Sequence, residues 1–287
     1  MNTSKYIASI SFLLVVLFFA SCKKDVAKPE ADIFYTVSLD GYTVTFQNQT
    51  KGAVSYKWDF GDGSSSTEAS PVHAYPGKGK YVPTLYATTG DGVVSEGSTV
   101  INISKASAVE LDDNSLADWD TVAYNVATPP ASNGIFKKGK FDYNSENIYF
   151  YFEIESSKTN GDIFDFYLDT DNAASTGLVT WLFSGAGNDV LLEGAMLNDW
   201  FDVFYHKGAQ NSFTFDYQTI SEFYEIGTIK QEGNIMKVEG RIKRAKIKGL
   251  IGKGIRLGVT ITKNDWSALL GVFPGVGAPA FYLDMNE

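Results

Sequence analysis

The chain has 287 residues, a single cysteine and a formal net charge of −10 at pH 7. That acidic balance argues against general nucleic-acid binding, which relies on Lys and Arg neutralising phosphates. One cysteine excludes an intrachain disulfide, so buried cores must hold the fold together.

Lys5 precedes an apolar run from Ile7 to Phe19, which ends in Ala20-Ser21-Cys22-Lys23-Lys24. A basic start, an apolar core and a small-residue exit predict a secretory signal peptide over residues 1–21. The apolar stretch, about 15 residues, is short for a membrane span, which needs about 20. No later segment approaches that length. Small residues running directly into Cys22 resemble the lipobox of a bacterial lipoprotein. The resemblance implies cleavage before Cys22, lipidation of Cys22 and attachment to the membrane through that lipid anchor. The expected location is the cell envelope, at the outer membrane, with surface or periplasmic face undecided. Residues 22–31 are polar and read as a lipidated tether.

From Asp32 the pattern turns strand-like, with alternation in Tyr42–Phe46 and Tyr81–Ala87 and short turns at Gly61-Asp62-Gly63 and Gly90-Asp91-Gly92. Short strands at regular spacing predict a small β-sandwich over 32–105. Trp58 and Phe60 alternate inward as core. Gly61 and Gly63 permit positive φ, and Asp62 can bond its own backbone. Pro83 lacks an N–H and predicts an edge position or a bulge. Trp58-Asp59-Phe60-Gly61-Asp62-Gly63, then His73-Ala74-Tyr75, then Gly79-Lys80-Tyr81 resemble the pattern of the PKD domain. The resemblance implies an Ig-like spacer or interaction module, of a kind that sometimes touches polysaccharide. Asp59, Asp62 and His73 could instead form a metal or catalytic cluster. Two histidines in the whole chain are few for zinc, so structural roles are expected.

Residues 106–287 carry longer strands. In Asn147–Glu155, Ile148, Phe150, Phe152 and Ile154 share one face, while Tyr149, Tyr151 and Glu153 share the other. Phe164, Phe166 and Leu168 likewise oppose Asp165, Tyr167 and Asp169. Further strands are expected at Asp189–Glu193, Phe201–Tyr205, Phe223–Ile229, Ile235–Ile242, Ile255–Thr262 and Ala280–Leu283, with a helical turn in Arg244–Ile251. The predicted fold class is all-β, with a larger antiparallel, jelly-roll-like sandwich after the small one. Leu111 to Trp119, Asn147 to Phe152, Asp165 to Gly177, Asp189 to Gly194, Val238 to Ile242 and Phe281 to Leu283 resemble motifs of family 9 carbohydrate-binding modules and DOMON-like sandwiches. In this chain Asn114 stands one residue beyond the glycine expected in the opening motif.

Asp169 and Asp171 offer hard carboxylate oxygens two residues apart, and Asn172 and loop carbonyls could complete a structural calcium site. The loop is not an EF-hand, and an aspartate-capped turn with Gly177 at positive φ explains the same residues. Ligand candidates are the aromatics near predicted strand ends: Trp181, Trp200, Tyr205 and Trp266. Apolar sugar faces stack on such rings, although for each tryptophan taken alone core packing is the stronger expectation. Trp119 is expected in the core, and Tyr149, Tyr151 and Tyr167 form a second possible platform. Nine Lys and Arg residues from Lys237 to Lys263 oppose one acid, Glu239. They suit either an acidic glycan or a solvated face.

No G-x-S-x-G elbow, H-E-x-x-H, C-x-x-C or P-loop occurs. The expected function is noncatalytic binding of a polysaccharide or oligosaccharide in an envelope glycan-capture system. The alternative is a structural or protein–protein interaction lipoprotein that docks an envelope protein partner and binds no sugar.

Overall fold

The computed structural model describes residues 28–285, apart from 199 and 251. Cys22 and the segment 1–21 lie outside the described residues. The chain is all-β and forms two antiparallel sandwiches, each around its own core. Among the described residues no helix is long and apolar enough to cross a membrane.

The first sandwich comprises β1 (Tyr35–Asp40), β2 (Thr43–Asn48), β3 (Ala53–Asp59), β4 (Ser65–Ser66), β5 (Val72–Ala74), β6 (Gly79–Tyr81), β7 (Thr84–Thr89), β8 (Val94–Ser98) and β9 (Ile101–Ile103). One sheet is ordered β1-β2-β5 and the other β4-β3-β7-β8, with β6-β9 as a separate pair. Alternation drives the packing: Val44 and Phe46 of β2 meet Trp58 of β3 and Leu85 of β7 in one cluster. The Trp58 ring sits 4.8 Å from Phe46 and 4.9 Å from Tyr35. Pro83 falls in the break between β6 and β7, where the chain leaves its pairing with β9 and joins β3 and β8. A proline costs no ladder hydrogen bond at such a switch.

The second sandwich comprises β10 (Val126–Ala127), β11 (Phe136–Tyr143), β12 (Asn147–Ile154), β13 (Ile163–Asp169), β14 (Val190–Gly194), β15 (Asp202–His206), β16 (Phe215–Gln218), β17 (Tyr224–Glu232), β18 (Ile235–Lys243), β19 (Gly254–Thr262), β20 (Leu269–Phe273) and β21 (Phe281–Asp284). A five-stranded sheet, β10-β11-β12-β18-β17, packs on a seven-stranded one, β16-β15-β14-β13-β19-β20, in which β21 also pairs with β19. Phe150 and Phe152 from the first meet Phe166 and Phe273 from the second, with ring centroids 5.3–6.0 Å apart.

Outer faces are covered too, which corrects the expectation of a tyrosine platform. Tyr149 and Tyr151 are buried beneath Val109, Leu111 and Trp119, and Tyr167 beneath Leu178 and Phe183. Trp119 is core, and its Nε1 donates to the buried Glu239 carboxylate at 2.8 Å.

The sandwiches meet at the β11–β12 turn. Asp142 accepts from Lys105 Nζ and, at 2.6 Å, from Ser107 Oγ. Lys105 also donates to the Tyr143 carbonyl at 3.0 Å and lies over the Tyr143 ring. The described chain enters the first sandwich near Lys28 and Asp32 and leaves it beside Leu39–Gly41, against Asn144–Glu146. The register of β12 on β18 pairs Asn147 with Lys243, so Lys243 to Gly254 share this junction end. β12 finishes at Ile154 and β13 begins at Ile163, which defines the opposite, distal end of the second sandwich.

Candidate ligand-binding sites

Apart from Trp181, the predicted ligand and metal residues fall into two groups, one at each end of the seven-stranded sheet. At the junction end β13 finishes on Asp169, and the loop that follows returns as β14. Asp169 is fully buried; its Oδ1 accepts from Ala173 N and its Oδ2 from Gly187 N, both at 3.2 Å. Asp171 accepts from Ala173 N at 2.9 Å and from the Thr176 hydroxyl at 2.9 Å. Asp189 accepts from Thr170 N at 3.1 Å. These bonds make the loop an aspartate-capped turn, with Gly177 at φ 65° as expected.

Asp169, Asp171 and Asp189 also bring one carboxylate oxygen each within 4.8 Å of the others. Burial, and then the neighbouring carboxylates, push Asp169 up from the usual carboxylate range, and burial first does the same for Asp189. An all-oxygen, crowded and partly desolvated set fits a hard cation such as calcium. Asp189 lies 18 residues after Asp171 in the sequence. It enters only because β14 pairs with β13 and returns the chain to the same end. Asn172, expected as a ligand, stands at φ 56° and donates its Nδ2 to the Gly254 carbonyl at 2.7 Å, strapping the loop to β19.

Beside this cluster lies a cleft of about 310 Å³ lined by Thr170, Asp171, Asp189, Val190, Tyr205, His206, Lys248 and Gly249. Tyr205, chosen from sequence as a ligand contact, is thus in a cleft, and its hydroxyl accepts from Lys248 N at 3.0 Å. His206 Nε2 donates to the Ser212 carbonyl at 3.0 Å, which fixes the proton of a neutral ring on Nε2. Gly249, at φ 90°, is demanded by space: a Cβ there would stand 2.3 Å from Thr170 Oγ1.

At the distal end, Trp200 precedes β15 and Trp266 sits in the β19–β20 turn. The register pairs Phe164 with Gly194 on one side of β13 and Ile163 with Thr262 on the other. The two tryptophans therefore flank the start of β13 from β15 and β19, strands three positions apart, a base separation of about 14 Å. Trp200 is 41% exposed and edges over Gly194, where a Cβ would meet its Cε3 at 2.7 Å. Trp266 is 51% exposed at φ 61°, a left-handed conformation that is rare for a bulky residue. Asp265 braces the turn, accepting from Ser267 N at 3.0 Å and from Lys263 Nζ at 2.9 Å. Trp181, 72% exposed, stands apart from both on the segment that crosses the outer face, tied to Gln210 through Val179 N and to Gly277 through the Leu182 carbonyl. None of these three rings makes a ring–ring contact among the described residues.

Sequence reasoning missed a further exposed aromatic patch on the β15–β16 edge, where Phe204 meets Tyr217 and Phe213 meets Phe215. The run Phe213-Thr214-Phe215-Asp216-Tyr217 alternates with period two, and that was the available signal.

In the first sandwich, Asp62 Oδ2 and Ser64 Oγ both approach His73 Nε2, at 2.7 and 3.3 Å, while the ring stacks on Phe60 at 4.0 Å. A nucleophile–histidine–acid relay needs hydroxyl and carboxylate on opposite ring nitrogens. Here the three residues instead tie the glycine turn to β5, as the structural reading expected, and Asp59 accepts from Gly61 N at 2.9 Å.

That turn, the buried Trp58 and the His-x-Tyr strand define the first sandwich as an Ig-like module of the PKD class. Residues 26–103 match the PKD domain family. Collagenase ColQ1 of Bacillus cereus (strain Q1) is 41% identical over 61 residues, which is 21% of this chain and 6% of that protein. Collagenase ColA of Clostridium perfringens is 28% identical over 134 residues, 47% of this chain and 11% of that protein. The chain thus spans a small fraction of these relatives. Among solved structures, the PKD1 domain of the Vibrio cholerae metalloprotease PrtV is 33% identical and covers 26% of this chain and 98% of its own, with a TM-score of 0.25. A carbohydrate-binding module of the β-sandwich superfamily is 14% identical and covers 82% of this chain and 97% of its own, with a TM-score of 0.29. A likeness at that score brings no ligand with it.

Proposed function

We propose that this chain is a noncatalytic, lipid-anchored envelope protein that binds a polysaccharide or oligosaccharide at the distal end of its second sandwich. The observation that carries the reading is Trp266: a large apolar ring held in solvent, on a braced turn, in a backbone conformation that costs free energy. Strain of this kind persists where function selects it. Trp200 supplies a second exposed indole on the same sheet end, and sugar C–H groups would stack on both while Asp265 accepts hydroxyl hydrogens. The membrane end of the assembly would be Cys22, with the PKD-class sandwich as spacer. Calcium on Asp169, Asp171 and Asp189 would brace the loop and take no part in chemistry.

The test is a glycan array on the soluble form beginning after Cys22, with and without a chelator. Binding is expected, and Trp200→Ala or Trp266→Ala should abolish it. Trp266→Gly should lose binding yet hold its stability or gain about 1 kcal/mol in denaturant unfolding, because glycine accepts the left-handed backbone. A Trp266→Gly protein that unfolds more easily would make the ring structural. Absence of binding to every neutral and acidic glycan would overturn the sugar reading. It would favour the interaction-module alternative, which the exposed Phe213 and Tyr217 support.

A further inference from the structure

The basic run from Lys237 to Lys263 divides sharply in the fold. Five of its nine cations are engaged. Lys237 pairs with Glu232 at 2.6 Å, Arg241 with Glu225 at 2.5 Å and Lys263 with Asp265 at 2.9 Å. Arg256 lies over the Tyr282 ring, and Arg244 is buried. Arg244 donates to the carbonyls of Leu250, Asn144 and Gly252, at 2.9, 2.6 and 3.0 Å. The remaining four, Lys243, Lys246, Lys248 and Lys253, have no ion-pair partner among the described residues.

Their display follows from the local fold. Arg244 gathers residues 244–250 and Gly252 into successive turns, and Ile247 and Leu250 are packed in the core. Lys246, Lys248 and Lys253 are left exposed. Four like charges within eleven residues repel one another, and among the described residues none of them forms an ion pair with an acid. Lys248 also lines the cleft that holds Tyr205, His206, Asp171 and Asp189. The patch therefore combines a cationic rim with a tyrosine hydroxyl, at the opposite end of the sheet from Trp200 and Trp266.

We infer that the junction end of the second sandwich is a docking surface for a uronic acid polymer. Lysines take the regularly spaced carboxylates, and the Tyr205 hydroxyl, which accepts from Lys248 N, has its own hydrogen to donate to the same sugars. Four lysines spread over eleven residues offer a sparse positive charge, which one carboxylate per sugar matches better than the denser charge of a sulfated glycan or a nucleic acid. A polymer with one charge per sugar and free hydroxyls matches both halves of the site. The surface is distinct from the tryptophan end, so the two can fail separately.

The test is affinity electrophoresis of the two-sandwich protein through gels containing polygalacturonate, heparin, DNA or neutral dextran. The protein should be retarded by polygalacturonate at low salt and released at about 0.5 M salt, where charges are screened within a few ångströms. Lys246→Gln/Lys248→Gln/Lys253→Gln should weaken retardation about tenfold or more, and Trp200→Ala/Trp266→Ala should leave it intact. Circular dichroism confirms that each variant is folded. No retardation by polygalacturonate, equal retardation by heparin or DNA, or an unaffected lysine triple variant would each overturn the inference. Loss in the tryptophan variant alone would also overturn it, by moving the uronate to the distal site.

Discussion

Asp165 shows how much one side chain can set. It lies 95% buried on the outer face of β13 with Tyr167, and only its Oδ2 is satisfied, by the Thr260 hydroxyl at 2.9 Å. Its Oδ1 has no partner, and Glu193 stands opposite on β14. Burial, and then the charge of Glu193, push its carboxyl up to about 7. The folded state therefore holds a proton that the unfolded chain has released near pH 4. Stability contributed by this proton is full below that value and is lost as pH rises towards 7. We expect the parent protein to lose about 3 kcal/mol between pH 5 and pH 8 through this group. Asp165→Asn should lose much less over the same interval. Denaturant midpoints of both proteins at the two pH values check this, and parallel profiles would show that Asp165 titrates normally.

At the scale of elements, the close approach of two turns builds the junction-end cleft. Gly249 meets Thr170 so closely that any side chain must displace the threonine, whose backbone N–H and hydroxyl both serve Asp189. Gly249→Ala adds a Cβ at positive φ and into that contact. It should cost about 2 kcal/mol in chemical denaturation and disturb the Asp189 side of the carboxylate cluster. An alanine variant as stable as the parent would show that the loops separate freely. The strands around this cleft were legible where apolar residues alternate, as in β12, β13 and β19. β11 was not, because Lys137-Lys138-Gly139-Lys140 carries no alternation. It is a strand because Gly139 leaves room for the Phe273 ring, where a Cβ would stand 2.4 Å from Cε2. Propensity yields to packing in such a segment. Asp189 was missed as a cluster member for a related reason, since strand pairing is not a property of adjacent residues.

For the whole molecule, the relevant device is the Lys105–Asp142–Ser107 latch. Asp142 is buried, so its charge is held by those two donors, and removing them would leave it unsatisfied. Asp142→Ala should let the sandwiches reorient: small-angle scattering would show a broader distance distribution, and NMR relaxation would give the two units separate tumbling times. Unchanged profiles would place the rigidity elsewhere. With the latch intact, the chain enters the first sandwich at one end and meets the second at the other. The length of β13 then separates Trp200 and Trp266 from that end of the second sandwich by about 23 Å. On the proposed anchoring at Cys22, the indoles stand at the tip farthest from the lipid, and the free lysines lie between.

Residue order alone determined the all-β class, the inward alternation of Trp58, Phe60, Phe150 and Phe166, the glycine turn and the PKD pattern, because these depend on neighbours within one strand or turn. It also supplied the aromatics and acids from which a site could be made. Only the tertiary structure decided which of them meet. It buried Tyr149, Tyr151 and Tyr167 under loops and left Trp181, Trp200 and Trp266 in solvent. It joined Asp189 to Asp169 and Asp171, and it separated four free lysines from five engaged cations. The physical reason is the same in each case: exposure and charge compensation are set by strand register and by which loop folds over which face, through contacts between residues distant in sequence.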